Sequence, residues 1–331
     1  MNTNNLSIAI VGATGLVGRT MLTVLEERNF PVGRLKLLAS SGSAGMKAEF
    51  RGKEYIIEEL RGDSFADVDI ALFSAGKTVS LKYAPIAEKA GCIVIDNSSA
   101  WRTDPTKPLI VPEVNAELIK DYKGIIANPN CSTIQMLVAL KPIHDAFGLK
   151  RVVVSTYQSI TGAGQKGIDK LNRELEQGIG GVAPEELPIA FNTLFHDISD
   201  PSGFSEEEIK MQNETQKILN LPNLPVAVTC VRLPIVGGHG ESLNIETEKP
   251  ITPEAVRKLF SGREDIIVVD DPMNQKYPTV VACAGLDPVY IGRIRQDNTV
   301  ENGLYLWICA DNVRKGAATN AVQIAESCLN L

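Results

Sequence analysis

The stretch SIAIVGATGLVG, residues 7–18, decides the fold of the first part of the chain. Its apolar start predicts a buried strand, and the following LVGRTMLTVLEER, residues 16–28, predicts an amphipathic helix. The turn between them carries Gly12, Gly15 and Gly18. Glycines in such a turn let the backbone approach a pyrophosphate, while the helix N-terminus supplies N–H groups and positive potential. The stretch therefore predicts a dinucleotide-binding turn, the alternative being a tight turn without a ligand.

Strand-like and helix-like segments alternate up to about residue 130, which predicts an α/β fold with a Rossmann-like parallel sheet. From Arg151 onward the segments are mostly strands, which predicts a second α+β domain with a mixed or antiparallel sheet. The last segment, GAATNAVQIAESCLNL, has the period of an amphipathic helix that packs on the first domain. We expect residues 1–130 with 312–331 to form the nucleotide-binding domain and residues 131–311 the catalytic and dimerisation domain.

Composition narrows the class of protein. With 331 residues, two domains are expected, since one domain takes about 150 residues. A net charge of −7 and a pI near 5.2 argue against nucleic acid or an anionic membrane as partner. No apolar run reaches the ~18 residues of a membrane span, and the N-terminus has no charged leader, so a cytoplasmic protein is expected. Six scattered cysteines without a CxxC pair predict free thiols and no metal site.

The segment after the second predicted strand bears on the choice of cofactor. NAD-selective turns carry an acid there that binds the ribose 2′-OH, whereas LASSGSAGMK, residues 38–47, has none. Ser40, Ser41, Ser43 and exposed N–H groups could hold a 2′-phosphate, so NADP is predicted. The alternative is a serine-glycine loop that contacts no ligand.

One cysteine stands apart from the others. In ANPNCSTIQMLVAL, residues 127–140, Cys131 begins an apolar helix, where unpaired N–H groups and the helix dipole favour a thiolate. A small apolar filler is the alternative, and it fits Cys230, Cys283 and Cys309. A nucleophilic thiol needs a base nearby. His239, in the glycine-flanked GGHGES, is the better candidate; His144 suits a structural role and His196 could be either.

Ten segments match one family in order and along the whole chain. They are GATGLVG, LASSGSAG, FSAG, DNSSAWR, VPEVN, NPNCST, STYQSITGAG, EEIKMQNET, CVRLPIVGGHGES and DNVRKGAATNAVQIAE. Together they resemble aspartate-semialdehyde dehydrogenases of the branch with an S-A-G loop after the second strand. The resemblance implies NADPH-dependent reductive dephosphorylation of L-4-aspartyl phosphate, on the route to lysine through diaminopimelate, threonine, methionine and isoleucine. It also implies a homodimer formed through the second domain, or a tetramer.

The resemblance assigns roles to particular residues. Cys131 matches the nucleophile that forms a thioester, His239 the acid/base and Gln158 the residue that orients the acyl group. The expected substrate contacts are Arg232 for the carboxylate, Glu207 for the amino group, Arg102 and Lys210 for phosphate, and Asn130. The expected cofactor contacts are Gly12, Thr14, Gly15, Leu16, Val17, Ser40, Ser41, Gly42, Ser43, Ser74, Thr161, Gly162 and Asn312. By pattern alone, Arg102 lies in an exposed turn and Glu207 and Lys210 on a solvated helix, at spacing i, i+3.

Two positions depart from the family pattern. Gly42 stands where relatives often carry an arginine for the 2′-phosphate, and Lys77 where they commonly have glycine. Three other interpretations of the sequence remain: an N-acetyl-glutamyl-phosphate reductase, a more distant glyceraldehyde-3-phosphate dehydrogenase, and a non-catalytic NADP-binding paralogue. Glu207 argues against the first, because an acetylated nitrogen carries no charge to pair. The cysteine segment differs from that of the second, and the presence of both Cys131 and His239 argues against the third.

Overall fold

The computed structural model describes residues 5–178, 187–198 and 200–329, which form two compact units. The first unit comprises the described parts of residues 1–130 and 317–331, and the second comprises those of residues 131–316. Residues 312–316, which the sequence assigned to the first domain, pack within the second unit.

The described part of the first unit contains a parallel sheet of six strands in the order β5-β2-β1-β6-β7-β8. Their bounds are β1 Leu6–Val11, β2 Val32–Ala39, β5 Glu58–Glu59, β6 Ile70–Phe73, β7 Ile93–Asp96 and β8 Ile125–Ala127. The hairpin of β3, Lys47–Phe50, and β4, Lys53–Ile56, forms a separate two-stranded sheet. Strands β1, β6, β7 and β8 are buried along their whole length, as expected of a parallel sheet covered on both faces. The predicted Rossmann-like sheet is confirmed.

Helices cover this sheet. They are α1 Leu16–Glu27, α2 Lys77–Lys89, the short α3 Pro112–Asn115 and, from the end of the chain, α9 Thr319–Leu329. One apolar cluster joins Ile8 and Ile10 of β1, Met21 of α1, and Val322 and Ile324 of α9, all fully buried. The C-terminal helix therefore packs on the sheet of the first unit, as the sequence predicts.

The second unit is built on a mixed sheet of seven strands, counted over its described residues, in the order β10-β11-β9-β12-β15-β14-β13. Their bounds are β9 Leu149–Ser159, β10 Leu194–Phe195, β11 Val226–Leu233, β12 His239–Thr247, β13 Ile266–Val268, β14 Val289–Asp297 and β15 Gly303–Ala310. The helices of this unit are α4 Cys131–Phe147, α5 Gln165–Gln177, α6 Glu206–Leu219, α7 Pro253–Phe260 and α8 Val280–Cys283. Strand β12 runs antiparallel to β9, so the end of β9 lies beside the start of β12. The predicted mixed sheet is confirmed.

Helix α4 begins at Cys131 and is the buried helix of the second unit. Residues 132–140 are all buried, and the helix packs against β9, β12, β14 and β15. Because its flanks are held by apolar contacts, its first turn has a fixed position at the end of the sheet. No helix within residues 5–178, 187–198 and 200–329 is both long and apolar enough to span a bilayer.

Candidate active site

The second unit brings a thiol and an imidazole into contact. Cys131, the first residue of α4, places Sγ 3.2 Å from Nε2 of His239, the first residue of β12. Cys131 is partly exposed, whereas His239 is fully buried. The sulfur can therefore meet a ligand while the imidazole is held by its surroundings.

The hydrogen bonds of His239 fix its tautomer. The backbone N–H of Ser159, at the end of β9, donates to Nδ1 at 2.9 Å, so Nδ1 must carry a lone pair. Burial, and then the nearby Arg232 guanidinium, lower the pKa of His239 to about 3. A neutral imidazole without a proton on Nδ1 carries it on Nε2, which faces the sulfur. His239 is thus a hydrogen-bond donor to Cys131.

A close backbone approach positions the thiol from the other side. A Cβ placed on Gly316 would lie 2.9 Å from Cβ of Cys131 and 3.3 Å from its Cα. Real Cβ atoms essentially never come within 3.0 Å of another heavy atom, so a side chain at 316 would force this segment away from the start of α4.

A hydrogen-bonded chain links Gln158 to α6. Gln158 donates from Nε2 to Oε1 of Glu207 at 3.0 Å and accepts from the hydroxyl of Thr156 at 3.2 Å, so its amide cannot rotate freely. Lys210 lies one turn further along α6, with Nζ 3.8 Å from Glu207 and 3.1 Å from Glu206. Glu207 and Lys210 are therefore part of the same cluster as Gln158 rather than a simple surface pair.

Arg232 is anchored to the same strand end as the imidazole. Its Nη1 donates to the carbonyl of Ser159 at 2.7 Å, and a Cβ on Gly162 would meet that nitrogen at 2.6 Å. His196, whose role the sequence left open, places Nδ1 3.5 Å from Nη2 of Arg232. Burial is the main cause that lowers the pKa of His196. Ser159 thus contacts both Arg232 and His239 through its backbone, which fixes their spacing.

Two further predicted residues form one rigid group. The hydroxyl of Thr161 donates to Oδ1 of Asn312 at 2.7 Å, and both side chains are buried. Thr161 also shares a hydrogen bond of 2.6 Å with the hydroxyl of Ser159. They connect to the strand end that holds His239.

In the first unit, the glycine turn has the geometry that the sequence predicts. Gly12 has φ +88°, and a Cβ there would lie 2.3 Å from the carbonyl oxygen of Ser74. A Cβ on Gly18 would lie 2.2 Å from the carbonyl oxygen of Gly12. Over its described residues α1 has no side-chain cap at Gly15 and no acid in its first turn. Its N–H groups are thus available to an anionic group, which fits a dinucleotide pyrophosphate.

The loop after β2 is exposed and carries no carboxylate. Ser40, Ser41 and Gly42 are exposed, Ser43 is partly exposed, and a Cβ on Gly42 would meet nothing within 4 Å among the described residues. This loop therefore has room for a phosphate or for a longer side chain at 42. Lys77 is exposed at the first position of α2.

Arg102 joins the ends of two neighbouring strands of the first unit. Its Nε donates to the carbonyl of Asn128 at 3.0 Å and its Nη2 to the carbonyl of Asn97 at 2.8 Å. Those residues follow β8 and β7, at the carboxyl edge of the parallel sheet, so the guanidinium has a fixed orientation at the edge where ligands bind in such folds. Asn130 is buried and directly precedes Cys131 in sequence.

The remaining cysteines differ from Cys131. Cys230, Cys283 and Cys309 are fully buried, and burial raises the pKa of each thiol, that of Cys283 to about 12. They are the inert fillers that the sequence predicts. His144 accepts the backbone N–H of Leu149 at Nδ1, a structural role. In the described part of the chain, no group of three His, Cys, Asp or Glu side chains could hold a metal ion.

Family models match both units. The model of the semialdehyde dehydrogenase NAD binding domain matches residues 7–122, and that of the semialdehyde dehydrogenase dimerisation domain matches residues 140–315. The aspartate-semialdehyde dehydrogenase of Aquifex aeolicus (strain VF5) is 54% identical over 331 residues, covering 96% of either chain. The chain belongs to the aspartate-semialdehyde dehydrogenase family.

Other members of the aspartate-semialdehyde dehydrogenase family agree along the whole chain. The enzyme of Bacillus subtilis (strain 168) is 48% identical over 97% of either chain. The crystal structure of aspartate semialdehyde dehydrogenase II complexed with ASA from Vibrio cholerae is 47% identical, with a TM-score of 0.94, covering 100% of this chain and 99% of that chain. The family resemblance that the ten sequence segments indicated is confirmed.

Sequence reasoning missed several residues of this aspartate-semialdehyde dehydrogenase site. Ser159 acts through backbone atoms, which a sequence does not display. Gly316 is the first residue of the predicted C-terminal helix, a place where glycine is common, so the sequence pattern gave no signal of its contact with Cys131. The sequence pattern predicts only that Gln135 lies on an apolar helix and Glu241 on a strand. The one signal of a role for Glu241 was a carboxyl two residues from His239 in a predicted strand.

Proposed function

We propose that the chain catalyses the reductive dephosphorylation of L-4-aspartyl phosphate with NADPH, giving L-aspartate 4-semialdehyde and phosphate. The observation that carries this proposal is the sulfur of Cys131 at the start of α4, 3.2 Å from the Nε2 of a neutral imidazole. A thiol so placed is favoured as a thiolate and can form a thioester. Family membership supports the substrate and the overall reaction.

The first step is acyl transfer to sulfur. The Cys131 thiolate attacks the acyl carbon, the bond from that carbon to the phosphate oxygen breaks, and a thioester forms. The departing phosphate takes one proton from solvent. N–H groups at the start of α4 oppose the charge on the carbonyl oxygen during attack. We assign phosphate binding to Arg102 and Lys210, with Asn130 as a further substrate contact.

Anchored side chains are suited to hold the two ends of the aspartyl group. Arg232 can bind the carboxylate with two parallel hydrogen bonds, and its contacts with Ser159 and Gly162 fix the plane of its guanidinium. Glu207 can bind the amino group. Gln158, which donates to Glu207, orients the acyl group between them.

The first unit suits NADPH. The uncapped start of α1, with Gly12, Thr14, Gly15, Leu16 and Val17, would bind the pyrophosphate, and Ser40, Ser41, Gly42 and Ser43 the 2′-phosphate. Ser74, Thr161, Gly162 and Asn312 complete the proposed cofactor contacts. Bound NADPH would supply the hydride that reduces the thioester.

His239 supports the collapse of the reduced thioester without transferring a proton. The carbon–sulfur bond breaks, its electrons return to Cys131 as thiolate, and the oxyanion becomes the aldehyde carbonyl, so no proton is consumed. The Nε2–H of His239 can donate to whichever of these atoms carries the charge. Because Ser159 occupies Nδ1, we propose this donor role in place of the acid/base role that the family resemblance implies.

We also propose that the chain works as a cytoplasmic homodimer. Tyr157 and Trp307 pack with ring centroids 5.5 Å apart beside a groove of about 700 Å³ in the second unit, and Tyr157 is exposed. This face belongs to the segment that matches a dimerisation domain, so it fits a second copy of the chain. Sedimentation of the purified protein tests this, since a monomer would contradict it.

An assay in the reverse direction tests the reaction. Purified protein with L-aspartate 4-semialdehyde, NADP and phosphate should reduce NADP only when phosphate is present. N-acetyl-glutamate semialdehyde should react at least about 100-fold more slowly, because a site built to bind an ammonium group is left with an unpaired carboxylate. Faster turnover of the acetylated aldehyde, or turnover independent of phosphate, would contradict the proposal. Cofactor binding without turnover would indicate a non-catalytic paralogue.

A further inference from the structure

A fully buried carboxyl group lies two residues from the catalytic imidazole. Glu241 is 0% exposed on β12, in register with Thr156 of β9 and Ile308 of β15. Neither carboxyl oxygen has a hydrogen-bond partner of standard geometry among the described residues. The reaction proposed above gives this carboxyl no role.

Glu241 shares a face of β12 with His239, because alternate residues of a strand point to the same side. Gln135 shares a face of α4 with Cys131, because the two are one turn apart. Gln135 is fully buried, and its Nε2 donates to the backbone carbonyl of His239 at 3.4 Å. Gln135 is thus a second contact between the helix and the strand that hold Cys131 and His239, and Glu241 lies on the same face of that strand.

The surroundings of Glu241 favour its uncharged form. Burial raises the pKa of Glu241 well above its ordinary value, and the side chains of Gln135 and Ser132 offset this only in part. The buried thiols Cys230 and Cys309 lie close enough to interact with Glu241 and supply no positive charge, and His239 on the same face is neutral. An isolated buried carboxylate is far more costly than a buried carboxylic acid.

An uncharged Glu241 can also hydrogen-bond to Gln135. Oε1 of Gln135 is a buried acceptor without a partner among the described residues. A carboxylate has no proton to give, whereas a carboxylic acid has one O–H donor and a free carbonyl acceptor. Glu241 in its acid form can therefore pair with the Gln135 amide.

We propose that Glu241 is a positioning residue that pairs, as an uncharged acid, with Gln135 and thereby sets the place of Cys131 relative to His239. The role in turnover rests on the proposed function, whereas the effect on the Cys131 thiol does not depend on it. A displacement of about 1 Å at a reacting atom can lower a rate about 100-fold, so a residue of this kind has a measurable effect without touching the substrate.

The first test compares Glu241→Gln, a neutral isostere, with Glu241→Val, which cannot pair with Gln135. Glu241→Gln should keep kcat within about threefold, while Glu241→Val should lower kcat about 100-fold with little change in KM. Wild-type kcat in Glu241→Val, or an equal loss in both variants, would overturn the proposal. Leu243→Ala, at the next position on the same face of β12, is the matched control and should lower the melting temperature while kcat stays near that of the wild type.

The second test needs no substrate. The pH dependence of Cys131 alkylation by iodoacetamide should match the wild type in Glu241→Gln and Leu243→Ala, and shift to higher pH in Glu241→Val. Gln135→Leu should produce the same shift, and combining it with Glu241→Val should add little, because both remove one contact. If no activity is found, the proposed function is wrong. The shift in the pH dependence of Cys131 alkylation still tests whether Glu241 positions Cys131. Additive shifts, or a shift in Leu243→Ala, would overturn the positioning role.

A third measurement uses the folded wild type and Glu241→Gln alone, in case Glu241→Val does not fold. The infrared carbonyl band of a protonated carboxylic acid should be present at neutral pH in the wild type and lost in Glu241→Gln. A carboxylic-acid band of equal intensity in both proteins would show that Glu241 is ionised and would contradict the proposal.

Discussion

The two units of the chain build their proposed ligand-binding sites from different groups, backbone N–H groups in the first and side chains in the second. The glycine turn of the first unit offers backbone N–H groups from a continuous segment, Gly12 to Gly18. The backbone can pack closely there because glycine has no Cβ. The cluster around Cys131 in the second unit joins side chains from α4, α6, β9, β11 and β12, which are far apart in sequence. A backbone site is therefore sensitive to added volume, and a side-chain site to lost groups.

The largest expected effect is the loss of the nucleophile. Cys131→Ala should lower turnover on the order of 10⁴-fold or more, because no other thiol in the described part of the second unit is exposed to a substrate. NADPH binding, measured by fluorescence titration, should stay within about twofold, since Cys131 is not among the proposed cofactor contacts. Retained turnover would refute the nucleophile assignment, and lost cofactor binding would contradict the proposed separation of the nucleophile from the cofactor contacts.

The next largest effect is that of the donor at position 239. His239→Ala should lower kcat about 10²–10³-fold, the usual cost of losing a preorganised donor. His239→Gln, whose amide can donate from a similar position, should recover part of that loss. Equal loss in both variants would indicate proton transfer by the imidazole rather than hydrogen bonding.

The low pKa of His239 also predicts a pH dependence. With a pKa of about 3, the imidazole stays neutral from pH 5 to 9. A plot of kcat/KM against pH should therefore show no inflection near about pH 6.5, the ordinary pKa of histidine. The unfolded chain binds this proton below about pH 6.5 while the folded chain does not. The contribution of His239 to the free energy of unfolding is therefore fully present above about pH 6.5. It falls as the pH drops through and below that value. Urea unfolding at pH 7.5 and 5.0 should show this fall in the wild type and a smaller one in His239→Gln.

A smaller effect is expected when volume is added to the glycine turn. Gly12→Ala places a Cβ against the Ser74 carbonyl and forces a left-handed conformation, so NADPH binding should weaken about tenfold or more. Gly62→Ala is the matched control, because its Cβ would meet nothing within 4 Å among the described residues and Gly62 is not a proposed cofactor contact. Cys131 alkylation should be unchanged in both variants. Equal cofactor affinity in Gly12→Ala and the wild type would contradict the proposed nucleotide site.

The smallest effect concerns the choice between NADPH and NADH. Gly42→Arg has room in the exposed loop and would add a charged donor for a 2′-phosphate, so the preference for NADPH should rise about tenfold. The ratio of kcat/KM for the two cofactors measures it. An unchanged ratio would place the 2′-phosphate away from residues 40–43.

The same contrast explains what the sequence could predict. The strand, the turn at Gly12 and helix α1 follow one another directly, so local pattern sufficed for the first unit. The start of α4 at Cys131 was also predictable, since an apolar helix follows the proline-asparagine turn. The pairing of Cys131 with His239 depends on β12 lying beside β9, and the tautomer of His239 depends on a backbone N–H at Ser159. These contacts form only in the folded chain; the glycine-flanked turn made His239 the better candidate for a base, and the family resemblance assigned its role.

Trapping the acyl group tests the central claim most directly. The protein is mixed with L-4-aspartyl phosphate in the absence of NADPH, quenched in acid and digested for peptide mass spectrometry. We expect one aspartyl group, labile to hydroxylamine, on the peptide that contains Cys131, with release of one phosphate per chain. Phosphate release with an unmodified Cys131, or an acyl group on another residue, would contradict the account.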